Sequence, residues 1–229
     1  MNAEISVITD NLGYLLWGQT ARGTPGGVVL TLLMTAGGAL LALPLGILLA
    51  ASANYGSATW RRLLFIWADL IRGIPLIFVI FWLWYLLPML SGIEIPGPLT
   101  VTLALAWFTS ASVMHTVLSG LAALPAGQSE AARAQGFGTA ATFWYILLPQ
   151  VLRNILPSLT GIFISLLKDT SLAFIVNVPE LTTLAGQVNN RVQIYPVAVF
   201  IFTGAVYYLL CFGLELLTKR WQKNRRQWI

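Results

Sequence analysis

Charged side chains are rare in this sequence, and Asp69, Arg72, Lys168 and Asp169 fall inside or beside long apolar stretches where a charge needs a reason. A charge at the centre of a bilayer costs roughly 3 kcal/mol on insertion scales, so each must pair, reach the interface or meet water. Asp69 and Arg72 are three positions apart on one helix face and close enough to pair. Arg72 can also snorkel to an interface, or touch a solute. Lys168 and Asp169 are adjacent, so a helix points them about 100° apart and neither covers the other. Asp169, Thr170 and Ser171 can each bond locally to the backbone, which loosens a helix, and loosened helix near mid-membrane is where transporters hold polar solutes. Two readings stand for this group: the lining of a solute path, and a buried ion-pair network between helices or subunits. His115 either offers a neutral hydrogen-bonding group to a pore or packs as a satisfied side chain. Pro75 removes a backbone hydrogen bond and predicts a kink just beyond Arg72.

Several chemistries are excluded. His115 is the only histidine and Cys211 the only cysteine, so no Ser/His arrangement, metal cluster or internal disulfide can be assembled, and Cys211 reads as a small apolar residue. No GxxxxGK[ST] phosphate loop is present, so energy from ATP would have to come from a partner. No cofactor or metal is expected.

Positioning these residues falls to membrane helices. Hydrophobic residues make up 57% of the 229 and charged residues 9%, with a mean hydropathy of +0.78, against roughly 25% charged in a soluble domain. Uncharged stretches run from Gly23 to Trp60, Gly73 to Ile93, Ile95 to Ser129 and Val192 to Leu214, each long enough for the roughly 20 residues of a span. A further span, fourth in order, is expected at about Leu152 to Val178. Alternation with period two is absent, against a membrane β-barrel. Five spans put Arg61, Arg62, Arg133, Arg153, Lys219, Arg220, Lys223, Arg225 and Arg226 at one side, and only Arg22 and Arg191 at the other. A sixth span through 134–152 would break that bias. The expected orientation has the N terminus outside, with Glu4, Asp10, Glu94 and Glu180, and the C terminus in the cytoplasm. The basic charge then serves topology and anionic lipid, with no nucleic acid as partner.

The chain divides into an N-terminal segment, 1–22, a five-helix membrane domain, 23–218, and a basic tail, 219–229. The first segment is not a signal peptide, because it lacks a basic start and carries Glu4 and Asp10. Ile5, Ile8, Leu12 and Leu15 are spaced as one helix face, so the segment forms an interfacial amphipathic helix or frays.

Between the third and fourth spans, at about 123–150, the chain reads Glu130-Ala131-Ala132, three residues, Gly136, nine residues, Ile146-Leu147-Leu148-Pro149. The alanines favour a short helix, and Gly136 and Gly138 end one cheaply. Phe143 to Leu148 predicts a second short helix, and Pro149 fits the first turn of the next. Such a helix-turn-helix is a docking surface or an amphipathic connector lying on lipid.

This segment resembles the EAA loop of the membrane subunits of bacterial ATP-binding-cassette importers at every specified position. Arg72-Gly73-Ile74-Pro75-Leu76 and Lys168-Asp169-Thr170-Ser171-Leu172 are similar to sequences in permeases for polar amino acids, of the histidine, glutamine and glutamate/aspartate type. The resemblance covers about Gly13 to Lys223. It implies an all-α polytopic protein with the five-span, MetI-like fold of a type I importer permease in the bacterial inner membrane. It also implies two ATPase subunits as partners, a second permease subunit and a periplasmic amino-acid-binding protein, with no enzyme activity in the chain itself. Glu130, Ala131, Ala132, Gly136, Ile146, Leu148 and Pro149 would couple to the ATPase. Arg72, Pro75, His115, Lys168, Asp169, Thr170 and Ser171 are the candidates for the solute path. Acidic amino acids or their amides are the expected cargo. One departure stands out: the third span has His115 and Leu118 ahead of Gly120 where the family commonly has Glu and Arg, which favours a heterodimeric pore. The alternative class is a stand-alone secondary transporter or channel, which would need its own coupling-ion site and usually inverted repeats.

Overall fold

Small residues recur every fourth position in the first long apolar segment, where Gly38, Ala42, Gly46 and Ala50 are all buried. That ridge lets another helix approach closely, as small-residue stripes do in membranes. In the computed structural model, which describes residues 2–19, 23–193 and 195–226, this segment is helix α2, Gly27–Tyr55. Its partner is α5, Gly97–Ala122. A Cβ on Gly46 would stand 2.5 Å from Val113 Cβ, which shows how tightly the two backbones meet.

Before α2 come α1, Asn2–Trp17, and a two-residue antiparallel pair, β1 (Gly18–Gln19) and β2 (Thr24–Pro25). After α2 follow α3, Ala58–Gly73, and α4, Leu76–Ser91. Beyond α5 lie α6, Gly127–Ala134, α7, Thr139–Val176, α8, Leu181–Val192, and α9, Pro196–Arg226. Helices α2, α5, α7 and α9 are each long and apolar enough to cross a membrane, and α3 with α4 makes a fifth crossing bent by 98°.

Three apolar clusters hold these elements. Around α6 and the adjoining ends of α2, α3, α5 and α7 lie Ile47, Leu64, Ile71, Val113, Phe143 and Val151. Midway, Met34, Val79, Leu105 and Leu166 join α2, α4, α5 and α7. At the far end Leu15, Leu181, Leu184, Val188 and Val199 join α1, α8 and α9.

The structure redraws three expected elements. Instead of a kink at Pro75 there is a full break. Ile74 is extended at φ −92° and ψ 134°, as a residue before proline must be, and Pro75 opens α4. Arg72 therefore belongs to α3 and not to the upright part of the span. The fourth span starts earlier than Leu152: the expected second short helix forms its opening turns, joined through a π-helical stretch at Thr142–Leu147. Phe143 and Leu147, four apart on that stretch, both face the core. The N-terminal segment is a packed helix. It buries Leu15 and partly buries Val7 and Tyr14, while Ile5 and Leu12 stay exposed.

Arg61 and Arg133 border one cleft beside α6, and Arg153 follows in the first half of α7. Arg191 lies at the opposite end with its guanidinium 5.6 Å from the Tyr14 ring centre. Arg22 and the last three residues of the basic tail lie outside the described residues.

Candidate functional site

Helix α6 ends in a turn that the sequence dictates. Gly136 adopts φ +84°, the left-handed conformation that glycine takes without strain. Phe137 N–H then donates to Ala132 O at 3.0 Å and Gly136 N–H to Arg133 O at 3.0 Å, the paired bonds of a Schellman turn. Gly138 is extended, at φ −69° and ψ 164°, and precedes α7. Ala132 is buried under the turn. Glu130 and Ala131 point outward, and the Glu130 carboxylate has no hydrogen bond or ion pair among the described residues.

The loop is tied down from behind. Gln150 Nε2 donates to Gln128 Oε1 at 3.2 Å and to Ile146 O at 2.8 Å, so α6 is joined to the first turns of α7. Leu148 is buried, Ile146 half-buried and Pro149 exposed. Between α6 and the ends of α2, α3 and α5 lies a 280 Å³ cleft bordered by Tyr55, Arg61, Ser129, Arg133 and Thr142. Glu130 thus stands exposed on a short helix whose turn is braced against α7.

A second site lies within the membrane region. One face of α7 carries Ser158, Gly161, Ser165 and Asp169, spaced three and four apart as a helix stripe requires. With Thr109 and Ser112 of α5 they border a 310 Å³ cavity. At Thr170 the helix tightens into a 3₁₀ segment, Thr170–Val176, and Thr170 Oγ1 donates to Leu167 O at 2.7 Å. The helix therefore does not loosen at Asp169-Thr170-Ser171 as expected; α-helical winding gives way there to the tighter 3₁₀ form.

The solute-path candidates do not converge. Asp169 borders the cavity, whereas Lys168, about 100° away around the helix, does not. Thr170 is buried and Ser171 half-buried. Arg72, Pro75 and His115 lie elsewhere. Arg72 Nη1 is 3.9 Å from Asp69 Oδ1, and His115 Nε2 of α5 is 3.5 Å from the same oxygen. The His115 nitrogen is buried and makes no hydrogen bond, and its ring stands edge-on to Phe65 at 5.2 Å. Asp69 thus gathers both into one contact between α3 and α5. Thr109, Ser112, Ser158, Gly161 and Ser165 were not singled out from the sequence. The signal for three of them was there, since Ser158, Gly161 and Ser165 continue the helical stripe that ends at Asp169.

At the opposite end Glu180 is fully buried. Its carboxylate accepts from Thr182 N–H at 2.8 Å, Thr183 N–H at 2.7 Å and Tyr207 Oη at 2.8 Å. Burial pushes the Glu180 carboxyl above its ordinary value of 4.5, and these donors pull it back down. Nothing in the sequence distinguishes it from the other acidic residues of that side.

Known proteins are similar to this chain in sequence and in fold. A probable glutamine ABC transporter permease, GlnP of Bacillus subtilis strain 168, is 33% identical over 176 residues, which are 76% of this chain and 80% of that protein. The inner membrane amino-acid ABC transporter permease YhdY of Escherichia coli K12 is 34% identical over 208 residues; they are 87% of this chain but 57% of that longer protein. A crystal structure of an amino acid ABC transporter with histidines matches at a TM-score of 0.75 and 26% identity, over 86% of this chain and 91% of the other. The sequence profile of the binding-protein-dependent transport system inner membrane component matches residues 42–227. With its five crossings and its braced Glu130 turn, the chain belongs to that family.

Proposed function

We propose that this chain is the permease subunit of an ATP-driven importer of polar amino acids, working in the bacterial inner membrane with its N terminus periplasmic and its C terminus cytoplasmic. The observation that carries the reading is the Glu130 handle, an exposed carboxylate on a short helix that ends in the Gly136 turn and is strapped to α7 through Gln128 and Gln150. A second permease completes the pore, and two ATPase subunits dock beneath the pair, one of them gripping this loop. The departure at His115 and Leu118 favours a related partner over an identical one. A periplasmic binding protein delivers the amino acid at the α8 end. The grouping of Arg61, Arg133 and Arg153 at the loop end supports the orientation.

Closure of the ATPase pair draws the loops together, and α7 rocks with α6, so that the cavity between α5 and α7 changes the side it faces. In that cavity the Asp169 carboxylate meets the ammonium group of the solute. The hydroxyls of Thr109, Ser112, Ser158 and Ser165 serve its carboxylate and polar side chain. One acid and four hydroxyls suit a zwitterion of no net charge such as glutamine better than glutamate or aspartate, whose second carboxylate meets no cation there.

Glu130→Ala tests the reading. The variant should insert normally and lose on the order of 2–5 kcal/mol of ATPase docking free energy, the cost of breaking a buried charged contact. ATPase copurification and amino-acid uptake in vesicles measure this, and normal values of both remove Glu130 from the mechanism.

A further inference from the structure

A crevice of 410 Å³ runs between α2, α7 and α9 on the outer side of the bundle. Its walls are apolar, with Leu43, Leu152, Leu156, Phe163 and Leu214 among them, and Arg153 stands at its mouth. Arg153 forms no ion pair among the described residues. We propose that the crevice holds one acyl chain of an anionic phospholipid, with the lipid phosphate against Arg153.

Three observations select this occupant. The first is length. Arg153 and Phe163 are ten residues apart, about 15 Å along a helix, which is half of a hydrocarbon core of about 30 Å. A slot that starts at a cation and ends near mid-membrane fits one leaflet's acyl chain, whereas a protein helix would need a groove across the whole bilayer.

The second is direction. Leu156 and Phe163 sit two positions from Ser158 and Ser165, about 200° around α7. The crevice therefore opens away from the polar cavity. If that cavity is the solute path, as in the proposed function on which this step rests, the crevice faces lipid.

The third is charge. Among the described residues that border the crevice Arg153 is the one that carries a charge, and a guanidinium binds a phosphate in a bidentate manner. Pro149, the last residue of the coupling motif, also borders the crevice. A lipid seated there braces α7 where the loop joins it.

The test uses the assembled transporter with its ATPase subunits, stripped in detergent and titrated with phosphatidylglycerol or phosphatidylcholine, with bound lipid counted by native mass spectrometry. The wild type should prefer phosphatidylglycerol, and Arg153→Gln should weaken that preference about fivefold, the effect of one basic residue near an anionic headgroup. A second variant, Leu156→Trp, should exclude either lipid while the complex still elutes intact. An unchanged preference in Arg153→Gln overturns the proposal. So does a cross-link between permease copies through Leu156→Cys in a Cys211→Ser background, which would give the crevice to protein. Lipid counting needs no transport, so a failure of the import reading shows separately, as absent uptake with lipid still bound.

Discussion

The Tyr207 hydroxyl donates to the Glu180 carboxylate at 2.8 Å and so ties α9 to the first turn of α8. The same carboxylate caps α8 through the N–H groups of Thr182 and Thr183, and Leu181 N–H donates to Thr31 Oγ1 of α2 at 3.3 Å. One buried acid thereby fixes a short helix between two spans. Its four acceptor sites are filled by these three bonds and by Thr183 Oγ1 at 3.1 Å.

Tyr207→Phe removes one bond to a buried charged group and should destabilise the protein by about 1.5–3 kcal/mol. Thermal or denaturant unfolding in detergent measures this. An unchanged midpoint would mean that the hydroxyl does not hold α9 to α8.

The Glu180 carboxyl sits above its ordinary value of 4.5 in the folded chain because burial disfavours its charge. The sign follows from linkage. As pH rises past 4.5 the unfolded chain ionises first, so stability falls until the raised folded value is passed, and then levels. Glu180→Gln should flatten that part of the stability profile. A profile of the same shape in both proteins would show that another group sets it.

Gly46→Ala places a methyl 2.5 Å from Val113 Cβ. Overpacking of this kind costs typically 1–3 kcal/mol. Val113→Ala in the same chain should recover part of the loss, because it removes Val113 Cγ1, which the new methyl also meets at 2.5 Å, while Cβ stays. The paired unfolding measurements form a double-mutant cycle with a negative coupling energy.

Asp169 borders the cavity between α5 and α7 and Lys168 does not. Asp169→Asn should lower amino-acid uptake about tenfold or more, the loss of a charge-assisted bond, with ATPase docking unchanged. Lys168→Met should change uptake less. Equal losses in the two variants would put both charges in the same role.

The turn at Gly136 was legible because it is local. An alanine-rich helix, a glycine after three further residues and a proline at the next helix all fall within one short segment, and the bonds that close the turn join neighbours in the chain. The spans were legible for a related reason, since an uncharged stretch of roughly 20 residues has few stable alternatives in lipid. The break at Ile74 was half legible. Proline forbids a helical residue before it, but whether the helix kinks or stops depends on what packs on either side.

What only tertiary structure decided is which polar groups meet. Asp69 and His115 are far apart in sequence and lie within 3.5 Å; Glu180 and Tyr207 meet because α8 packs against α9. The stripe from Ser158 to Asp169 becomes a cavity wall only when α5 lies across it at the angle that its small-residue contact with α2 permits. Composition and short-range pattern thus determined that the chain crosses a membrane and where it offers a handle. Helix packing, which depends on side chains from distant segments filling one another's gaps, decided which residues line the cavity and which merely hold the bundle together.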